Sequence, residues 1–244
     1  MMNEHDVLND EEDASEGIVE LRDYSAPLPI PKPFLPWHRP RKQFVRDKQW
    51  SQQISRLLHD HPPLDNVLRY LGLPGVDLLD LRYFNSVVCQ PKAMSLCFLG
   101  FNNAARPSTS AGIELNISTD ELMKSAGVDP RSSIIIDDFS SLANQNSLAS
   151  KSARDVGPYD VINLDLCDGF GAKPPERGGS SYYSAVNSLL ALQSRSKRPW
   201  LFLLTTRADK PNIDPEVLSK MIDKYLKNLL YKPSMKVPRA YNAW

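Results

Sequence analysis

Apolar runs of strand length alternate with helix-like segments over residues 64–232, and this alternation constrains the fold more than any other feature. The apolar runs predict strands at 76–84, 94–101, 132–139, 159–166 and 199–207. A short helix is predicted at 64–71, ahead of the first run. Nearly continuous apolar strands joined by helices of about ten or more residues are typical of a parallel sheet covered on both faces. The sequence therefore predicts an α/β fold, a three-layer sandwich with a mostly parallel, doubly wound sheet.

Helix signals lie between these runs and after the last one. Ser118 to Glu121 have the spacing of a capping box, and Gly127 is suited to end the helix that this box would open. The predicted helices after the first strand are 120–127, 141–153, 182–195 and 214–232. The α/β domain is therefore predicted to span 64–232. The remaining residues, 233–244, fit an edge strand as well as a basic tail, and periodicity does not choose between them.

The segment before the domain consists of an acidic part followed by a proline-rich part. Residues 1–23 hold nine acidic residues against one arginine, and such a stretch buries too little apolar surface to offset its ordering entropy. We therefore predict a disordered acidic tail. Prolines at six positions hold 24–41 extended. The apolar residues that alternate with these prolines suit contact with the domain or with a protein partner, so this Pro-rich arm is the predicted protein-binding segment.

A basic and aromatic helix is predicted at 42–63, ended by the prolines that follow His61. Four cations just before the helix or in its first two turns are candidate nucleic-acid-binding residues, namely Arg39, Arg41, Lys42 and Arg46. Guanidinium and ammonium groups pair with phosphates, and the interleaved rings of Phe44 and Trp50 could stack on bases. The alternative is a solvated helix face whose aromatic side chains pack into the core.

Composition and the absence of known motifs argue against several other classes of protein. The formal net charge is zero, so no global field attracts nucleic acid or membrane. No apolar run reaches the roughly 20 residues that span a bilayer, and no signal-peptide pattern opens the sequence, so a cytoplasmic location is expected. Neither GxxxxGK[ST] nor GxSxG occurs. No metal site is predicted, since three cysteines without a CxxC pair and the HDH at 59–61 suit structural roles better. Cys167 remains a minor candidate nucleophile.

Polar side chains follow several predicted strands at the points where the strands end. They are Asn102, Asp137, Asp138, Asn163, Asp165 and Asp168. In an open parallel sheet the ligand lies outside the carboxyl ends of the strands, so these side chains are the candidate site. The aspartates would also suit Mg²⁺, which prefers oxygen ligands. An aspartate after a strand is equally common as the N-cap of the next helix, as expected before Phe139.

The strand YDVINLDL at 159–166 resembles the fourth strand of the class I S-adenosylmethionine-dependent methyltransferases, and the order of elements over 64–232 is similar to that family's. The resemblance implies a Rossmann-type fold with S-adenosylmethionine as cofactor. Because a family acid after the third strand meets the adenine, it implies Asp137 or Asp138 for that contact. The residues that it places at the methyl acceptor, as catalytic residues, are Asn163, Asp165 and Asp168.

The glycine loop through which that family approaches its cofactor has a divergent counterpart here. The nearest candidate is GLPGVDLLDLR, with Gly72, Gly75 and Asp80, whose glycines precede the predicted strand at 76–84 instead of following one. Asn102 stands where the family has the acid that ends its second strand. Gly72, Gly75, Asp80 and Asn102 are the predicted cofactor-binding residues, together with the two aspartates of the third strand.

Two functions follow from these observations. The first is a methyltransferase-like Rossmann domain that transfers methyl from S-adenosylmethionine to an acceptor that the sequence does not name. The second is a catalytically inactive binding module, a subunit of a protein or protein–nucleic-acid complex, which keeps the fold without a working glycine loop. The polar strand ends favour the enzyme, and the Pro-rich arm favours the module. The sequence leaves both open.

Overall fold

The computed structural model describes residues 38–103, 106, 108–172, 180–207 and 213–230, without the side chains of 167, 168, 229 and 230. The described part is built on a five-stranded parallel sheet. Its strands are β1 (Val67–Gly72), β2 (Ser95–Phe101), β3 (Ser133–Ile135), β4 (Val161–Gly169) and β5 (Leu201–Arg207). Their spatial order is β3-β2-β1-β4-β5, so the sheet grows in opposite directions from β1 and from β4. The predicted α/β fold with a doubly wound parallel sheet is confirmed.

Helices cover both faces of the sheet. They are α1 (Pro40–Phe44), α2 (Gln52–Asp60), α3 (Leu79–Phe84), α4 (Ser110–Met123), α5 (Leu148–Val156), α6 (Tyr182–Gln193) and α7 (Pro215–Leu230). A π-helical segment, Val45–Ser51, joins α1 to α2 without a break, and we call the three segments together the N-terminal helix. None of the described helices is long and apolar enough to cross a membrane.

Two hydrophobic cores lie on the two faces, as side-chain alternation along a strand requires. Leu68 and Tyr70 of β1 point into the first core, with side chains of the N-terminal helix, α3 and α4. The next residue of β1, Leu71, points to the opposite face and into the second core, with side chains of α5 and α6. Each core is therefore a layer between the sheet and its helices.

The prediction for residues 64–84 was wrong in both of its elements. The segment predicted as a helix contains β1, and the segment predicted as a strand contains α3. Apolar runs of six to nine residues fit either period, and here pairing decided: β1 takes the central place between β2 and β4. Leu78, with φ of 51°, turns the chain just before α3 begins. Consequently Gly72 ends a strand and Gly75 follows it.

The helix after β2 begins earlier than its capping-box signal predicted. It starts at Ser110, where Thr109 is the N-cap and its Oγ1 accepts a hydrogen bond from Gly112 N at 3.1 Å. The predicted box at 118–121 lies inside this helix, and Ser118 is buried. A serine or threonine inside a helix can satisfy its hydroxyl on the preceding turn, as Thr119 does on Leu115 O. The local signal was therefore misleading.

The helix predicted at 141–153 is divided in the structure into a 3₁₀ segment, Phe139–Ala143, and α5, while the other remaining elements agree within a few residues. The helix predicted at 42–63 begins at Pro40, a residue suited to the first turn because its missing amide has no partner there. It buries Trp50, Ile54, Leu57 and Leu58. The acidic tail at 1–23, the Pro-rich arm as far as 37 and the segment 233–244 lie outside the described residues, so these predictions stay as they were.

Candidate functional site

A cleft of about 280 Å³ opens at the carboxyl edge of the sheet. It is lined by residues that follow β1, β2 and β3 and by the end of β4. This edge includes the point between β1 and β4 where the strand order reverses, which is where open α/β sheets bind ligands. The volume is close to the lower end of the roughly 300–1,000 Å³ usual for small-molecule sites. The cleft is therefore the candidate binding site.

The glycine loop, residues 72–75, begins at the last residue of β1, and Leu73, Pro74 and Gly75 line the cleft, whereas the predicted cofactor-binding residue Gly72 does not. At Gly72 an added Cβ would lie 2.6 Å from the ring of Tyr70, so only glycine lets this ring lie along the strand end. The loop is tied to β2, because Asn102 Nδ2 donates a hydrogen bond to Pro74 O at 3.0 Å. Gly75 lines the cleft and its carbonyl accepts from Leu78 N at 3.0 Å. The expectation that these glycines precede a strand was wrong.

The acids after β3 form the opposite wall. Asp138 Oδ2 accepts a hydrogen bond from Asn103 Nδ2 at 2.6 Å, and its Oδ1 accepts from Ser140 N at 2.8 Å. The second bond is an N-cap, so the capping role considered for this residue is present. Asp137 is exposed and also lines the cleft. Tyr182 contributes its hydroxyl, 3.5 Å from Asp138 Oδ2. One carboxylate thus both caps a turn and faces the cleft.

The end of β4 places its polar side chains under the N-terminal helix. Asn163 and Asp165 share the face of β4 that carries Val161, which belongs to the first core. Asn163 is 2% exposed, and its Oδ1 has no hydrogen-bond partner among the described residues. Asp165 lines the cleft. The side chain of Asp168 lies outside the part of the chain that the structure describes, as does that of Cys167.

Three basic residues of the N-terminal segment pair with three carboxylates at the rim of the cleft. His38 Nε2 lies 2.9 Å from Asp77 Oδ2, Lys42 Nζ donates to Asp165 Oδ2, and Arg46 Nε donates to Asp80 Oδ1. These pairs are His38–Asp77, Lys42–Asp165 and Arg46–Asp80. Sequence reasoning missed all three pairs. The only local signal was that His38, Lys42 and Arg46 are four residues apart, which suits one face of a helix.

Burial raises the pKa of two groups near these pairs, the carboxyl of Asp80 and the hydroxyl of Tyr70. Desolvation raises the pKa of Asp80, although the guanidinium of Arg46 opposes the rise. Desolvation also holds the pKa of the Tyr70 hydroxyl well above its ordinary value, and the negative charge of Asp80 adds to the effect. A hydrogen bond with Asn163 acts in the opposite direction. Tyr70 therefore keeps a neutral hydroxyl, buried in the first core.

The cleft as a whole is acidic. Its charged lining residues are one arginine, Arg46, and five aspartates, at positions 77, 80, 137, 138 and 165. In the described part of the chain, however, no three His, Cys, Asp or Glu side chains are grouped so that they could hold a metal ion. The carboxylates are spread around the cleft instead. Because Asp77, Asp165 and Asp80 pair with His38, Lys42 and Arg46, the acidic excess of the cleft comes mainly from Asp137 and Asp138. This excess favours a cationic organic ligand over an anionic one.

The four cations predicted to bind nucleic acid occupy different environments. Arg46 is 4% exposed and Lys42 is partly buried, and both pair with carboxylates of the domain. Arg39 and Arg41 are exposed. Since phosphate contacts need accessible cations, the nucleic-acid prediction, which no observation tests, now depends on Arg39 and Arg41.

Comparisons with known proteins gave one family match and a distant structural similarity. No curated protein matches the chain. Among solved structures, a protein from Listeria monocytogenes described as a class I S-adenosylmethionine-dependent methyltransferase is similar, with 14% sequence identity and a TM-score of 0.43. The match covers 75% of this chain and 51% of that one, so the chain spans about half the length of that relative. A sequence model of the PP_RS20740-like family matches residues 31–238. Because that match covers most of the sequence, the chain belongs to the PP_RS20740-like family.

Proposed function

We propose that the chain is a methyltransferase-like domain that binds S-adenosylmethionine in the cleft and transfers its methyl group. One observation carries the proposal. A glycine loop follows the central strand β1 directly into a cleft lined by five aspartates and one arginine. Glycine loops at this point of a doubly wound sheet let backbone amides approach a nucleotide-like ligand. The carboxylates then select which ligand of that kind enters.

Charge distinguishes S-adenosylmethionine from the other common ligands of such folds. The cofactor carries a sulfonium and an ammonium against one carboxylate, and is therefore a net cation. Dinucleotides and nucleoside triphosphates carry phosphates, which Asp137 and Asp138 would repel. Arg46 and Lys42 are already paired with Asp80 and Asp165, so they do not invert this field. The donor set therefore suits the cationic cofactor.

The residues present also fit the parts of that cofactor. Leu73, Pro74 and Gly75 of the loop line the cleft next to β1, and Gly75 leaves backbone there without a side chain. On the opposite wall, Asp138 and Asn103 offer carboxylate and amide oxygens for the adenosine. When bound, the cofactor supplies an electrophilic methyl group. Asp165, at the end of β4, lies where it could orient an acceptor toward that group.

Isothermal titration calorimetry on the full chain tests the proposal. We expect S-adenosylmethionine to bind with micromolar affinity and NAD not to bind. Asp138→Asn should weaken the binding about tenfold, because it removes a charge that faces the cleft. Asp120→Asn is the matched control, since Asp120 pairs with Lys124 on the surface of α4. The proposal fails if millimolar S-adenosylmethionine produces neither heat nor a shift in melting temperature.

A second candidate is the inactive binding module, a subunit of a larger complex. The observation that favours it is a row of exposed apolar side chains on α7, namely Leu218, Met221, Ile222, Tyr225 and Leu226. Exposed apolar rows of this kind are common at sites of protein association. The calorimetric titration with S-adenosylmethionine distinguishes the two candidates, because the module requires no cofactor. A folded chain that binds no S-adenosylmethionine would favour the module.

A further inference from the structure

The ammonium group of Lys42 occupies a site built by two other parts of the chain. Its Nζ donates to Asp165 Oδ2 at the end of β4, and lies 5.9 Å from the centroid of the Trp50 ring. Side chains of Lys42 and Asp165 are 32% and 24% exposed, so solvent reaches the pair from one side only. A carboxylate and an aromatic ring thus contact one cation at the rim of the cleft.

Carboxylates and aromatic rings are the groups that recognise ammonium ions. The carboxylate accepts a charge-assisted hydrogen bond, and the negative face of an indole ring attracts a cation without hydrogen bonding. Trp50 is 5% exposed and belongs to the first core, so its position does not depend on Lys42. Asn163 adds a buried oxygen without a partner among the described residues, on the same face of β4 as Asp165. The site therefore exists independently of its present occupant.

Lys42 is also weakly anchored compared with the site that it fills. It belongs to α1, Pro40–Phe44, which buries none of its residues. The following segment, by contrast, buries Arg46 and Trp50. Lys42 is held by its ion pair with Asp165 and by its position over the Trp50 ring. A partly exposed ion pair of this kind exchanges readily with solvent or with another cation. A competing ammonium could take the place of Lys42 while the rest of the N-terminal helix stays packed.

We propose that Asp165 and Trp50 form the ammonium subsite of the methyl acceptor, and that Lys42 fills this subsite in cis as a stand-in for an amine substrate. The inference rests on the proposed function, and it names the acceptor as a primary amine. The amine loses its proton to Asp165 and its lone pair forms the new N–CH₃ bond. The S–CH₃ bond breaks with its electron pair left on sulfur, so the products are a methylated amine and S-adenosylhomocysteine.

Binding of n-butylammonium to the full chain tests this subsite without requiring turnover. The titration follows the indole resonance of Trp50 by NMR. Lys42→Met should raise the affinity about tenfold, because a tethered side chain competes at high effective concentration. Lys48→Met is the matched control, since Lys48 pairs with Asp47 on the outer surface of the same helix. The uncharged 1-pentanol, of similar length, should bind equally weakly to every variant.

The outcomes separate this inference from the proposed function. Adding Asp165→Asn to Lys42→Met should abolish the gain in affinity. If Lys42→Met does not fold, Lys42→Gln serves in its place, with the same expected gain. The inference is overturned if both variants bind n-butylammonium no better than the unchanged chain does. That result would not affect the proposed function, because binding of S-adenosylmethionine is measured separately by calorimetry. Conversely, a chain that binds n-butylammonium but not S-adenosylmethionine would support the ammonium subsite and refute methyl transfer.

Discussion

Replacing Arg46 with methionine should destabilise the domain strongly, and more at high pH than at low pH. Arg46 is 4% exposed and its partner Asp80 is 13% exposed, so neither charge is well solvated. Methionine keeps the apolar stem but leaves Asp80 without its guanidinium. Removing one partner of a buried pair costs about 3–5 kcal/mol, because the remaining charge stays buried.

The dependence on pH follows from the pKa of Asp80. Burial raises this pKa above its value in the unfolded chain, so the folded state holds the proton more tightly. The associated stability is present at low pH and is lost as the pH rises through the folded-state pKa. Arg46 opposes the rise, and its removal widens the pKa difference. The cost of Arg46→Met should therefore be larger near pH 8 than near pH 4.

Urea unfolding followed by circular dichroism measures both effects. With a slope of about 2 kcal/mol per molar urea, the midpoint near pH 8 should fall by roughly 2 M. Adding Asp80→Asn should restore most of the loss, since no buried charge then remains. Lys124→Met, which removes the partner of the exposed Asp120, is the control and should leave the midpoint nearly unchanged. A midpoint shift that is small, or equal at both pH values, would refute the reasoning.

Three further changes probe separate parts of the fold. Gly72→Ala should cost about 1–3 kcal/mol, because its Cβ would meet the ring of Tyr70, and Tyr70→Leu should recover part of the loss. Gln193→Leu should cost about 3 kcal/mol in urea unfolding, since Gln193 bonds both the amide and the carbonyl of buried Tyr159. Burial raises the pKa of Cys89 to about 12, so a thiol reagent near pH 8 should modify it only after unfolding, as peptide mass mapping would detect.

Each of these results has a contrary outcome. A Gly72→Ala chain as stable as the original would mean that the Tyr70 ring moves without cost. An unchanged midpoint for Gln193→Leu would show that water satisfies the backbone of Tyr159. Rapid labelling of Cys89 in the folded chain would show that the first core opens locally.

The strand-end rule found much of the cleft from the sequence, whereas periodicity failed at the loop that matters most. Asn102, Asp138 and Asp165 line the cleft, because the carboxyl ends of parallel strands meet at one edge. The glycine loop was misplaced because β1 is six residues long and flanked by another apolar run. Over so short a stretch, helix and strand periods are not distinguishable. The pairing of β1 with two neighbours decided its conformation.

The sequence by itself determined the fold class and the edge of the sheet where polar groups collect. Both follow from local patterns: apolar runs of strand length, helices between them, and polar residues where each run ends. Only the tertiary structure decided which charges meet at that edge. The pairs formed by His38, Lys42 and Arg46 join residues 39, 123 and 34 positions apart. Such contacts depend on how the N-terminal helix lies against the sheet, since packing and desolvation, and not sequence spacing, select the partner of a buried charge.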